Sequence, residues 1–173
     1  MRSTASSDGS STASRRKPPL VTAWKLVKTR HAGTTFDGEG ARLHGGRWNS
    51  AGTPVAYASD SIALATLEVL AHLQASAALQ SYSVVSVQFP ESQIEVLEIA
   101  SLPKGWRRFP SPPENQAIGD RWITEGRSLV LRVPSAIVPS ANNFLINPLH
   151  PAFKSAAVGR PERFAFDPRL LRG

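Results

Sequence analysis

One helical run limits the folds open to this chain more than any other stretch. Residues 62–74 read IALATLEVLAHLQ, with Ser59 or Asp60 ahead of them as a helix cap. The run is apolar on nearly every face, so a helix reaching about residue 75 is expected inside a core. Glu68 sits in it between Leu67 and Val69. An unpartnered buried carboxylate is costly, so Glu68 must face water at a helix edge or be held by a cation or ligand. His72 lies four residues on, on the same face, within reach of a hydrogen bond. The structural reading of Glu68 is an ion pair with an arginine. The functional one is a carboxylate that stabilises developing positive charge.

Around this helix the pattern is one of short strands. Alternation or apolar runs predict strands at 22–28, 54–58, 82–89, 94–99 and 128–133. Residues 136–138 form a further short candidate, and 143–147 a strand or extended segment. A helical turn is expected near 114–125, and the prolines from 103 to 113 make a loop with Trp106 as an aromatic anchor. Several short strands with one or two helices give an α+β fold. The chain of 173 residues is long enough for one domain, read as 20–173. Residues 1–19 are Ser-rich, basic and low in apolar side chains, and are read as a disordered tail.

Charge location narrows the function classes. The formal charge is +7, but Arg2, Arg15, Arg16 and Lys17 stand against Asp8 in the first seventeen residues. The last fourteen carry Arg160, Arg163, Arg169 and Arg172 against Glu162 and Asp167, which leaves +2 on the body. A nearly balanced body without a helix-turn-helix pattern argues against direct nucleic-acid binding. No run reaches the roughly 18 apolar residues of a membrane span, and the N-terminus has no apolar signal core. The cytoplasm is the expected location. The chain has no cysteine, which removes thiolate and disulfide chemistry. His31, His44, His72 and His150 show no metal-ligand spacing, and there is no P-loop, so no metal site is expected.

The chemistry-bearing residues gather in the Gly-rich stretch 30–53 and after it. Gly45-Gly46-Arg47-Trp48-Asn49 ends that stretch. Glycines let a backbone approach a ligand closely, and an arginine beside them presents a rigid fork to a phosphate. By spacing alone, ligand binding and structure are equally good readings of Arg47. Tyr57 alone reads as an ordinary strand aromatic. Ser135 follows Pro134 at a strand end, where a hydroxyl can be aimed into a cleft or can cap a turn.

The segment FDGEGARLHGGRWNSAGTPVAYASDSIALATLEVLAHL, with the later GDRW, LRVPSAIV and NFLINPLHPAF, resembles the RES-domain family over about 22–155. These are toxins of bacterial toxin–antitoxin pairs whose antitoxins are Xre-like DNA-binding proteins. The resemblance implies an ADP-ribosyltransferase-like fold, with small mixed or antiparallel sheets and a few helices around an NAD cleft. It maps the family's arginine, glutamate and serine onto Arg47, Glu68 and Ser135 as catalytic residues. It also implies NAD contacts at Arg47, Tyr57, Gly46, Trp48, Asn49 and Ser135. Arg47 would grip the pyrophosphate, Glu68 the nicotinamide ribose and its oxocarbenium-like transition state. Tyr57 would bound the nicotinamide pocket, and Ser135 would bond the ribose or the amide. NAD is then substrate, not cofactor, with phosphate a possible co-substrate. Three functions follow in order: NAD degradation that arrests growth, mono-ADP-ribosylation of a cellular protein, and a silent antitoxin-binding module. The implied partners are an Xre-family antitoxin and a second copy of the chain. One departure stands near the start: Lys25 follows Trp24 where many members have an arginine, and Arg30 is the candidate substitute.

Overall fold

The computed structural model describes residues 18–72 and 81–171. Most of the expected N-terminal tail, and the helix end expected near residue 75, lie outside the described residues. Strand β1 (Leu20–Lys28) and strand β3 (Tyr82–Pro90) pair antiparallel along their full length, from Leu20 opposite Pro90 to Lys28 opposite Tyr82. β2 (Ala56–Ser59) lies on the other side of β1 and meets it only at Trp24 opposite Ser59. It pairs fully with β6 (Asn142–Ile146), which pairs antiparallel with β5 (Val130–Pro134). β4 (Ile94–Val96) runs parallel to β5, as a strand pair joined through a helical crossover can. Short strands β7 (Ala157–Val158) and β8 (Glu162–Phe164) close on β3. The sheet order is β4-β5-β6-β2-β1-β3-β7, with β8 also on β3.

Alternation along the strands separates the core into clusters on opposite faces. On β6, Phe144 and Ile146 join Val130, Val87 and Phe89 in one cluster. Leu145 between them joins Leu131, Val133 and Trp122 in another. Successive residues of a strand point to opposite faces, so one strand feeds both. A third, smaller cluster of Leu26, Ala65, Tyr82 and Val84 sits under the central helix.

Three helices surround the sheet among the described residues. Helix α1 (Glu39–His44) lies inside the Gly-rich stretch 30–53. Helix α2 (Ile62–Leu70) is the apolar run. Helix α3 (Pro113–Glu125) is a full thirteen residues where only a turn was expected. Pro113 at the first turn suits a helix start, and Gly126 closes the end at φ +57°. The buried face of α3 is Asn115, Gly119 and Trp122, a helical stripe in which only one residue is large and apolar. Periodicity of apolar side chains therefore understated it.

Several local expectations are corrected. α2 is capped by Ser61, whose hydroxyl accepts from the Leu64 amide. Ser59 and Asp60, the expected caps, instead bond to Asn143 and to the Asn142 amide, fastening β2 to β6. Nor is α2 buried all round: Leu64, Ala65 and Thr66 are buried, but Leu67 is 41% exposed and Ile62 36%. The expected strand at 94–99 stops at Val96. Residues 136–138 are a bend, because the Ser135 side chain takes the amides of Ile137 and Val138 out of any ladder.

Candidate active site

β1 and β2 share a single residue pair and then diverge, and α2 packs against both. A cleft of about 460 Å³ opens there. Trp24, Leu26 and Lys28 line it from alternate positions of β1, Tyr57 from β2, and Glu68 and His72 from α2 and its end. The position of Glu68 at the edge of α2 follows from the three-residue buried stripe at 64–66, which turns residue 68 toward the gap.

Glu68 is held by neutral donors rather than by an arginine. The Ser135 hydroxyl donates to Oε1 at 2.9 Å, and Asn143 Nδ2 donates to the same oxygen at 2.6 Å. Asn143 is itself fixed by Ser59, whose hydroxyl donates to Asn143 Oδ1 at 2.8 Å. Bonds to an ionised acceptor are short and strong, so two of them fix the carboxylate firmly. Among the described residues both donors converge on Oε1. His72 makes no such bond, contrary to the i+4 expectation; it is exposed and lines the cleft. Asn143 was missed by sequence reasoning. Two adjacent asparagines opening an otherwise apolar strand were the available signal.

Ser135 is fully buried, and its oxygen also accepts the amides of Ile137 and Val138 at 3.1 and 3.2 Å. Its contacts orient Glu68 and close the turn after β5.

Arg47 lies in the loop after α1, outside the residues that line the cleft. Its Nη1 donates to the carbonyls of Trp106 at 2.7 Å and Arg108 at 3.0 Å. Partial burial lowers its hold on the proton most, while the charge of Glu68 raises it. A guanidinium remains protonated under either influence.

The loop that carries Arg47 is built around Tyr57. The phenol donates to Asn49 Oδ1 at 2.7 Å and accepts the Trp48 amide at 3.1 Å. Burial pushes its pKa up, which keeps it a neutral donor. A Cβ at Gly46 would lie 2.6 Å from that hydroxyl and 2.8 Å from Asn49 Oδ1. Tyr57 and Asn49 thus fill the room expected there for a ligand. Gly45, at φ +69°, turns the chain out of α1.

Asn49 is fully buried, with its amide nitrogen donating to the carbonyls of Ala41, Ser50 and Thr53. Trp48 is 2% exposed and packs at 6.0 Å from Trp106, the anchor expected in the 103–113 loop. Helix α3 presses on this loop from outside. Asp120 accepts the Ser50 amide at 2.9 Å, Gln116 donates to the Gly46 carbonyl, and Gly119 sits against the Trp48 carbonyl.

Lys25 belongs to the cleft lining and Arg30 does not. Lys25 Nζ donates to the Thr35 carbonyl at 2.8 Å and lies 5.9 Å from the Phe36 ring centroid. Burial lowers its pKa to about 8, against a smaller opposing effect of Asp37. Arg30 is exposed and bonds to His31.

The chain matches a known domain over most of its length. The model of the RES domain covers residues 22–167. The chain belongs to the RES-domain family. A relative named Toxin Res from Yersinia enterocolitica is 38% identical over 148 residues, covering 85% of this chain and 97% of that protein. A second relative, named Prs ADP-ribosylating toxin, from a Sphingobium strain, is 36% identical over 140 residues, covering 79% of this chain and 87% of that one. Among solved structures, a chain of the M. tuberculosis MbcT–MbcA toxin–antitoxin complex superposes with a TM-score of 0.72 at 18% identity. The match covers 89% of this chain and 88% of that chain, which shows a shared α+β fold. Among the described residues no helix is long and apolar enough to cross a membrane.

Proposed function

We propose that this RES-domain protein is a toxin that cleaves the nicotinamide–ribose bond of NAD. The observation that carries the reading is Glu68, pinned at Oε1 by Ser135 and Asn143 beside an open cleft with an aromatic wall. Nicotinamide bound through a glycosidic bond to ribose is a cation. It leaves as a neutral molecule with the bond's electron pair, so no general acid is needed. The ribose carbon becomes oxocarbenium-like, and a preorganised carboxylate stabilises charge that develops only then. In this reading Glu68 orients the ribose hydroxyls and faces the cation, while Ser135 and Asn143 act through Glu68. Arg47 holds the pyrophosphate, and Trp24 and Tyr57 bound the nicotinamide. Water or phosphate then adds to the ribose carbon, and a proton is released from the adding oxygen.

A second acceptor is favoured by one observation, the 36% identity to the relative named an ADP-ribosylating toxin. In that reading a protein side chain takes the place of water. By analogy with the toxin–antitoxin complex that shares its fold, the partner is an antitoxin, of the Xre type by family resemblance, in a complex built on a toxin dimer in the cytoplasm. Purified protein incubated with NAD, with and without phosphate and with candidate protein acceptors, tests the scheme. Free nicotinamide is the expected product. Its absence under every condition would remove the enzymatic reading and leave the silent antitoxin-binding module.

A further inference from the structure

Two arginines from distant parts of the sequence are brought near one another by the segment 106–108. The carbonyls that receive Arg47 Nη1 belong to Trp106 and Arg108, and they flank Arg107. Arg107 Nε donates to the carbonyl of Ala136 at 2.9 Å, one residue beyond Ser135. The segment is tied back at its far end, since the Ser111 hydroxyl donates to the Arg47 carbonyl and Asn115 Nδ2 to the Trp106 carbonyl. Residues 106–111 therefore form a strap bound to the Arg47 loop at both ends, from which Arg107 reaches the turn that holds Glu68. Arg107 is close enough that its charge opposes protonation of Arg47. Arg108 is turned away: its side chain packs over Gly105, where a Cβ would lie 2.8 Å from Nε.

Among the described residues, ion pairs engage Arg42, Arg127 and Arg169, but neither Arg47 nor Arg107. Each donates to backbone carbonyls through one nitrogen, which fixes its position and leaves other N–H groups of the fork available. Two fixed like charges repel, and a multivalent anion between them reverses the sign of that interaction. Planar forks match phosphate oxygens bidentately.

We infer that Arg107 is the second arm of a diphosphate-binding site, paired with Arg47 across the strap. The ligand class is an ester of pyrophosphate. Its identification with the NAD bridge rests on the function proposed above, whereas the anion site itself does not.

Inorganic pyrophosphate is the probe, titrated calorimetrically at low salt into the wild type, Arg107→Gln, Arg107→Lys and Arg108→Gln. Loss of a charge-assisted phosphate contact weakens binding by about tenfold or more. That loss is expected for Arg107→Gln, a smaller one for Arg107→Lys, which keeps the charge without the fork, and little change for Arg108→Gln. Circular dichroism monitors the fold of each variant. No pyrophosphate binding by the wild type, or equal binding by folded Arg107→Gln or Arg107→Lys, overturns the inference. As a second readout, Arg107→Gln raises KM for NAD while kcat stays near that of the wild type. A wild type that binds pyrophosphate through Arg107 but releases no nicotinamide sustains the anion site and removes the NAD reading.

Discussion

The Ser135 hydroxyl lies 2.9 Å from Glu68 Oε1, although 67 residues separate the two in sequence. That bond joins the turn after β5 to helix α2 and aims the carboxylate at the cleft.

Replacing Glu68 by glutamine removes the charge and keeps the shape. Nicotinamide release is expected to fall about a hundredfold or more, as when one group that stabilises transition-state charge is lost. The melting temperature stays near that of the wild type. Undiminished turnover in a folded Glu68→Gln protein would sink the role.

Ser135→Ala acts through two losses. Glu68 loses a donor, and the amides of Ile137 and Val138 lose their acceptor. Stability measured by urea denaturation falls by about 1–3 kcal/mol, and kcat falls while Glu68 remains present. A stability loss with unchanged kcat would show the bond to be structural only.

Asn143→Asp sets a second carboxylate where Nδ2 now stands 2.6 Å from Glu68 Oε1. Two such groups cannot both ionise at neutral pH, so one pKa rises strongly. The acidic limb of the pH–rate profile is expected to move to higher pH in the variant. A profile identical to the wild type would contradict the assigned bond.

Gly46→Ala drives a methyl against the Tyr57 hydroxyl, 2.6 Å away. Overpacking of this kind costs about 1–3 kcal/mol. Tyr57→Phe removes the nearest atom, so adding it to Gly46→Ala costs less than its effect alone predicts. Additive denaturation energies in the double-mutant cycle would reject the contact.

Lys25 gives a pH dependence of known sign. Its ammonium deprotonates near pH 8 in the folded protein and near pH 10.4 unfolded. Between these values the unfolded chain binds more protons, so stability rises with pH across that window and the penalty of burying the charge is greatest below it. The rise is on the order of 3 kcal/mol. Lys25→Met should lack it, so the difference in urea midpoint between variant and wild type shrinks from pH 7 to pH 10. A constant difference would refute the lowered pKa.

Strands β1, β3 and β5 were legible from alternating or apolar runs of strand length, and the helix from the length of its apolar run. The thirteen residues of α3 were not, because Asn115 and Gly119 carry two thirds of its buried stripe and neither announces an apolar face. The glycines of the Arg47 loop were legible as special positions, but their purpose was not. What fills the space at Gly46 is Tyr57, eleven residues on in sequence and on a different element.

By itself the sequence determined the α+β class and the family and pointed to Arg47, Tyr57, Glu68 and Ser135 as candidates, since periodicity and motifs are read along the chain. Only the tertiary structure decided which of these face the cleft and which stand behind it. Hydrogen-bond partners across 59 to 75 residues, such as Arg47 with Trp106 and Glu68 with Asn143, arise from strand pairing and helix packing. No local pattern encodes them, because the geometry that joins them exists only once β2 has left β1 and opened the gap beneath α2.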